Sequence, residues 1–498
     1  MDAHSRKELD RILHPRSVAV VGASASPGKF GWIFLKSLIH IGFSGNLYPI
    51  NKNVDEILGY KAYPSLAALP EVPDMVVVTI PARHVPDALE EALAAGVPGA
   101  VVITAGFGED SDEGKLLEAR VKEIAGRGIR VIGPNCFGVY SPRAGITVIP
   151  GSGFSRESGP VGFFAQSGGL TADLGQIAIG RGVKFSAMVS YGNAADVGEL
   201  DMLDYFAHDP NTSIIAAYLE GVSDGPRFLR LLTEVAAKKP VIIWKGGASA
   251  TGARMVMSHT GSMGGQAAIW DAVFNQTGAV KVRGLTELID TLAAFSSLYP
   301  RAGRRIAMMG GGGALGVEAS DIVDELGLVM PVFDGEIQAE INKHLPEFGK
   351  SAKNPVDTGT PLIGADPLAE IMRIIAGRDN VDVIFVVQLL FHSQVLMRRV
   401  AGQAQAPLAL FAHYPKLAEM AGEISIGSGK PVIAVLPQTS ITQSDEDLEL
   451  EREIRRAADA FQSAGCVVFP TIDRALKALA RVAGYQEYRE LHGRAAAD

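Results

Sequence analysis

The sequence predicts an α/β protein made of doubly wound parallel sheets with helices on both faces. Short β-branched runs alternate with alanine- and leucine-rich helical stretches almost from end to end, and several of those runs end in glycines that open a helix. A third observation sets the number of domains: 498 residues, 47% of them hydrophobic, exceed one ordinary core and fit about three.

The first domain is expected over 1–145, with strands near 17–21, 46–50, 75–80, 99–104 and 129–132 and helical stretches such as 86–95 and 111–126 between them. It closes around GPNCFGVYSPR, 133–143, and the turn-rich IPGSGFSRESGP, 149–160, reads as a linker. A second domain is expected over 155–300. A third, opened by RAGRR at 301–305, is expected over 303–487, leaving 488–498 as a tail.

The second and third domains look like copies of one design. VGFFAQSGGL (161–170) answers IAMMGGGGAL (306–315), and SIIAAYLEG (213–221) answers DVIFVVQLL (382–390). KPVIIWKGG (239–247) answers KPVIAVLPQ (430–438), and TGAVKVRGLTELIDTLAAF (277–295) answers AGCVVFPTIDRALKALARV (464–482). Four matched segments in one order read as a duplication. The copies differ where chemistry would lie. The SHTGS segment of the second domain has no counterpart in the third, which carries ITQSDEDLELERE there, and the position matching Glu220 is Leu389. A histidine and a carboxylate that disappear together fit two parts of one site.

Composition excludes several classes. A net charge of −9 argues against a general binder of nucleic acid or anionic membrane, which needs an excess of Lys and Arg on one face. Two cysteines, Cys136 and Cys466, give neither a disulfide framework nor zinc spacing, so no metal is expected and a cytoplasmic location fits. The first residues carry no long apolar run, and the Val18–Val21 stretch is strand-length and ends in a glycine, so neither secretion nor a membrane span is expected. The mean hydropathy of +0.17 belongs to buried cores.

The first candidate for chemistry is His259. MSHTGSMGG, 257–265, reads as a glycine- and hydroxyl-rich loop in which an imidazole, a nucleophile at neutral pH, can accept and pass on a phosphoryl group. Ser258, Thr260, Gly261 and Ser262 would offer donors to its oxygens. A second candidate is the strand, glycine and helix sequence SVAVVGASASPGKFG, 17–31, the anion site of a nucleotide-binding βα turn, although Gly22, Gly28 and Gly31 do not match G-x-G-x-x-G. Where an NAD site places an acid at the end of the second strand, this chain has Asn51, Lys52 and Asn53. Lysine suits a phosphorylated ribose, which NADP and coenzyme A both carry.

Taken together, these segments resemble the NDP-forming acyl-CoA synthetases, the superfamily that includes succinyl-CoA synthetase and ADP-forming acetyl-CoA synthetase. The carriers are HPRSVAVVGAS with GKFG, YPINKN, ITAGFGE (103–109), GPNCFGV (133–139), AQSGGL (165–170), YGNAADV (191–197), YLEGV (218–222), SHTGS (258–262) and NPVD (354–357). The chain departs from the pattern at Asn53, where a proline is common, and in MMGGGGALG, which lacks an asparagine often found there.

The resemblance implies an N-terminal Rossmann-like CoA-binding domain followed by two flavodoxin-like ligase domains, the arrangement of an α subunit. It implies that ATP phosphorylates His259, that the phosphohistidine passes its phosphoryl group to a carboxylic acid, and that the CoA thiol attacks the acyl phosphate. Glu220 would bond one imidazole nitrogen, while Ser167, Gly168 and Gly169 begin a helix whose N–H groups hold phosphoryl oxygens. The implied CoA contacts are Gly22, Ser24, Gly28, Lys29, Gly31, Lys52, Ile80, Pro81 and Asn135, with Cys136 at most a pocket wall and not a nucleophile. Asp196 would order a loop. No ATP-grasp module or P-loop is legible, so ATP/ADP with Mg2+ is expected on a separate ATP-grasp β subunit, in a hetero-oligomer or around a homodimer of this chain. Two rival readings remain at this point: a catalytically silent CoA-binding regulator or scaffold, and an NADP-dependent oxidoreductase using the first domain.

Overall fold

The computed structural model describes residues 1–150, 153–260, 267–390, 413–437 and 445–492, with the backbone alone at 257–260 and 445–447. The chain divides into two compact units, Met1–Ile289 and Asp290–Leu491. The first unit holds two parallel-cored sheets and the second unit a third.

The first sheet contains β1 (Ser17–Val21), β2 (Asn46–Ile50), β5 (Met75–Val78), β6 (Gly99–Val102) and β7 (Arg130–Ile132), with a small hairpin of β3 (Glu56–Ile57) and β4 (Tyr60–Lys61) beside it. Its order is β2-β1-β5-β6-β7, all parallel. These strands are continuous Val, Ile and Ala runs because helices cover both faces. The strands lie where the hydrophobic runs put them.

At the first βα turn the helix Phe30–His40 packs directly on the strand end. A Cβ on Gly31 would lie 1.9 Å from the Gly22 carbonyl oxygen, and one on Gly22, at φ +88°, would lie 2.7 Å from Ile80 Cγ2. Gly31→Ala therefore forces backbone apart and is expected to cost about 3 kcal/mol, read as an earlier urea transition of the first domain. An unchanged transition would contradict this packing.

The second sheet contains β8 (Gly138–Ser141), β9 (Ile146–Thr147), β10 (Val161–Ala165), β11 (Phe185–Ser190), β12 (Ile214–Leu219), β13 (Val241–Lys245) and β14 (Val280–Val282), in the order β14-β13-β12-β10-β11-β8-β9. Strand β8 pairs antiparallel with β11, and β9 antiparallel with β8. Residues 138–147, which the sequence places at the close of the first domain, thus complete the second sheet. They cover the β11 edge, which would otherwise present unpaired backbone.

The third sheet is formed by β15 (Ile306–Gly310), β16 (Val356–Asp357), β17 (Val383–Val387), β18 (Val432–Val435) and β19 (Val467–Phe469) in the order β16-β15-β17-β18-β19. Its order repeats β11-β10-β12-β13-β14 strand for strand, and Ala165 opposite Tyr218 corresponds to Gly310 opposite Val387. The duplication read from four segments is therefore a duplication of topology. The helix Ile472–His492 runs past Glu487 into the stretch expected as a tail, while 493–498 lie outside the described residues.

Candidate active site

In an open α/β sheet, ligands bind beyond the carboxyl ends of the strands where strand order reverses. In the first domain that crevice lies between β1 and β5. Gly22 and Ile80 meet there, and Asn51 ties the glycine loop to the end of β2 by donating from Nδ2 to the Ala23 carbonyl at 2.8 Å. Ser24 Oγ accepts from the Ser26 N–H at 3.1 Å, and Gly28 holds φ +84° with open space where a side chain would stand. Lys29, Lys52 and Pro81 are exposed. The crevice is thus lined by backbone and rimmed by lysine.

Asn135 takes φ +55°, donates its N–H to the Thr104 carbonyl, and reaches Asn193 through its amide at 3.3 Å. Asn193 in turn donates to Glu109 at 2.5 Å and Glu118 at 2.8 Å. Burial pushes the Glu109 carboxyl up, but donors from Asn193, Gly106 and Phe107 outweigh it and hold the group below its usual range. Cys136 is 2% exposed and its thiol donates to the Val102 carbonyl at 3.3 Å, with burial pushing its pKa up to about 12. It supports the loop from beneath and presents no sulfur to a ligand. Asp196 binds Arg130 Nε at 2.9 Å and the Val131 N–H at 2.8 Å, so it anchors the 191–197 loop to β7.

In the second domain the crevice lies between β10 and β12. The helix Gly168–Ile179 starts at the end of β10 with Ser167 as its cap, and the Ser167 Oγ accepts from the Leu170 N–H at 3.3 Å. Gly169 faces open space. Glu220 follows β12 directly and is 4% exposed. Three side chains hold it. Gln166 Oε1 accepts from the N–H groups of Glu220 at 2.5 Å and Gly221 at 3.2 Å, Tyr218 donates to Glu220 Oε1 at 3.1 Å, and Lys245 Nζ donates to the Glu220 carbonyl at 2.8 Å. Buried Glu199 fixes the next residues by accepting from the Ser223 N–H at 2.6 Å and Oγ at 2.7 Å.

Sequence reading singled out Glu220 and Ser167–Gly169 but missed Gln166, Lys245, Tyr218 and Glu199. A polar residue at the end of a strand looks like any solvated loop residue. The available signal was the comparison of copies, in which Gln166 faces Gly311 and Lys245 faces Leu436. For the histidine segment there is a correction: the helix Ala250–Thr260 carries Ser258, His259 and Thr260 in its last turn, where the sequence reads a loop. The stretch from Ala253 to Thr260 contains neither Gly nor Pro to stop it. The side chains of these three residues, and Gly261 and Ser262 entirely, lie outside the described residues.

Residues 16–142 match the model of a CoA binding domain, and residues 158–295 that of a succinyl-CoA ligase like flavodoxin domain. Over 354 residues the chain is 40% identical to acetate–CoA ligase (ADP-forming) I subunit alpha of Pyrococcus furiosus, covering 70% of this chain and 76% of that one. The chain belongs to the NDP-forming acyl-CoA synthetases. It is 36% identical over 386 residues to acetate–CoA ligase (ADP-forming) I of Archaeoglobus fulgidus, covering 76% of this chain and 54% of that one, so it spans about half that relative's length. Among solved structures, dinucleotide forming acetyl-coenzyme A synthetase 1 of Ca. Korarchaeum cryptofilum, in complex with phosphate and ADP, matches with a TM-score of 0.80, 30% identity and 97% coverage of each chain. An NDP-forming acyl-CoA synthetase is an acid–thiol ligase, and the comparisons lend no support to a silent scaffold. Among the described residues no helix is long and apolar enough to cross a membrane.

Proposed function

We propose that this chain is the α subunit of an ADP-forming acyl-CoA synthetase that carries the phosphoryl group on His259 and orients it with Glu220. The carrying observation is the second-domain crevice: a buried carboxylate and a capped helix start stand at the ends of adjacent strands, joined through Gln166.

In this reading His259 attacks the γ-phosphorus of ATP, a nitrogen–phosphorus bond forms, and ADP leaves. Glu220 accepts a hydrogen bond from the N–H of the ring, so that the other nitrogen is the nucleophile. The helix start at Ser167, Gly168 and Gly169, assisted by Ser258, Thr260 and Gly261, holds phosphoryl oxygens with N–H groups and the helix dipole. His259 then yields the phosphoryl group to a carboxylic acid, whose carbonyl carbon becomes open to attack by the CoA thiol with release of phosphate. Each step is reversible.

Gly22, Ser24, Gly28, Lys29, Gly31, Lys52, Ile80, Pro81 and Asn135 form the CoA crevice, with Cys136 behind it and Asp196 ordering the neighbouring loop. ATP with its Mg2+ sits on a separate ATP-grasp β subunit, in the cytoplasm. The relatives named as α subunits and the two buried free cysteines support this reading. Reconstitution with an ATP-grasp partner is expected to give CoA-dependent ADP release with at least one acid from a carboxylic-acid panel. ADP release that never depends on CoA and acid would contradict it.

A further inference from the structure

Lys245 ends β13 with its side chain buried, 7% of the residue being exposed. A buried ammonium is costly unless it is paired or hydrogen-bonded, and a parallel sheet does not need one there. Its Nζ donates to the main-chain carbonyls of Glu220 and Gly246 and lies 5.5 Å from the centre of the Trp270 ring. The contacts continue in both directions. A Cβ on Gly246 would lie 2.5 Å from the Tyr218 hydroxyl, the group that donates to the Glu220 carboxylate, and one on Gly247 would lie 2.8 Å from Val256 in the helix Ala250–Thr260. The 245–247 turn is packed between the Glu220 strand end and the helix that bears His259.

The third domain provides an internal control. Its sheet repeats the order and register of the second, yet Gln166, Glu220 and Lys245 are replaced there by Gly311, Leu389 and Leu436, and Leu436 is buried. The fold therefore stands without any of the three. They are present together or absent together.

We propose that Lys245 is a positioning residue for Glu220, its charged ammonium pinning the Glu220 and Gly246 carbonyls so that the carboxylate is fixed with respect to the histidine-bearing helix. This rests on the reading of Glu220 and His259 given above. Beside Lys245 stand Glu220 and Tyr218 at the end of β12 and Trp270 from the helix Ala267–Thr277, while Tyr191, which follows β11, feels the charges of Glu220 and Glu199. Burial pushes both tyrosines upward, away from the range in which Lys245 would titrate. For Lys245 itself, burial pushes the ammonium below its ordinary value and Glu220 draws it part of the way back.

The test uses the enzyme reconstituted with its ATP-grasp partner. Lys245→Gln is expected to lower kcat between about 10- and 100-fold, the scale of a small misplacement of a catalytic group, with the KM for CoA unchanged. In a Glu220→Gln background the same change is expected to cost less than about threefold, because residues acting as a unit are not additive. The wild-type rate is expected to fall at alkaline pH below the ordinary lysine value of about 10.4, and Lys245→Arg, which stays charged, to hold its rate further. Additive losses in the double variant, or identical alkaline limbs in wild type and Lys245→Arg, would overturn the proposal. Should Lys245→Gln fail to fold, Lys245→Met enters the same cycle and the comparison with arginine stands alone. Phosphohistidine labelling of wild type separates the two levels: unlabelled wild type overturns the parent reading, whereas labelled wild type with additive losses overturns only the role of Lys245.

Discussion

Glu220→Gln is expected to lower kcat on the order of 10²–10⁴-fold while leaving the KM for CoA within a few-fold of wild type. The substitution is isosteric, so the glutamine carbonyl can still accept from Tyr218, and the N–H groups of residues 220 and 221 keep their bonds to Gln166. What is lost is the negative charge and one acceptor. An orienting carboxylate beside a catalytic imidazole has effects of this size. The proposed CoA crevice belongs to a different sheet, which is why binding should be spared. A loss smaller than about threefold, measured by steady-state kinetics on the reconstituted enzyme, would remove Glu220 from the mechanism.

Much of the fold was legible because central parallel strands are buried on both faces and so appear as unbroken Val and Ile runs, such as SVAVV and MVVV, bounded by glycine. The duplication was legible for the same reason. Strands β8 and β9 were not: GVYS and IT are short, and the partner of β8 lies about fifty residues onward, so no local period marks them. Within the site, residues tied to a motif could be found, and those tied only by tertiary bonds could not. Glu220 stands in YLEGV, whereas Lys245 reads as an ordinary cation in WKGG until its carbonyl partners are seen. The histidine segment shows the reverse case, where glycine and hydroxyl composition pointed to a loop and helix propensity carried the backbone to Thr260.

His259→Ala is expected to abolish net acyl-CoA synthesis, a loss greater than about 10⁴-fold, because no other group on the chain is proposed to carry the phosphoryl intermediate. Glu220 and the helix start at Ser167 would remain in place, so the variant should keep its thermal protection by CoA. That combination separates a missing carrier from a collapsed domain.

The most direct measurement is transfer of label from γ-labelled ATP to this chain in the presence of its ATP-grasp partner, without acid or CoA. The account predicts an acid-labile, base-stable label on wild type, discharged by adding carboxylic acid and CoA, and no label on His259→Ala. Equal labelling of wild type and His259→Ala would contradict it.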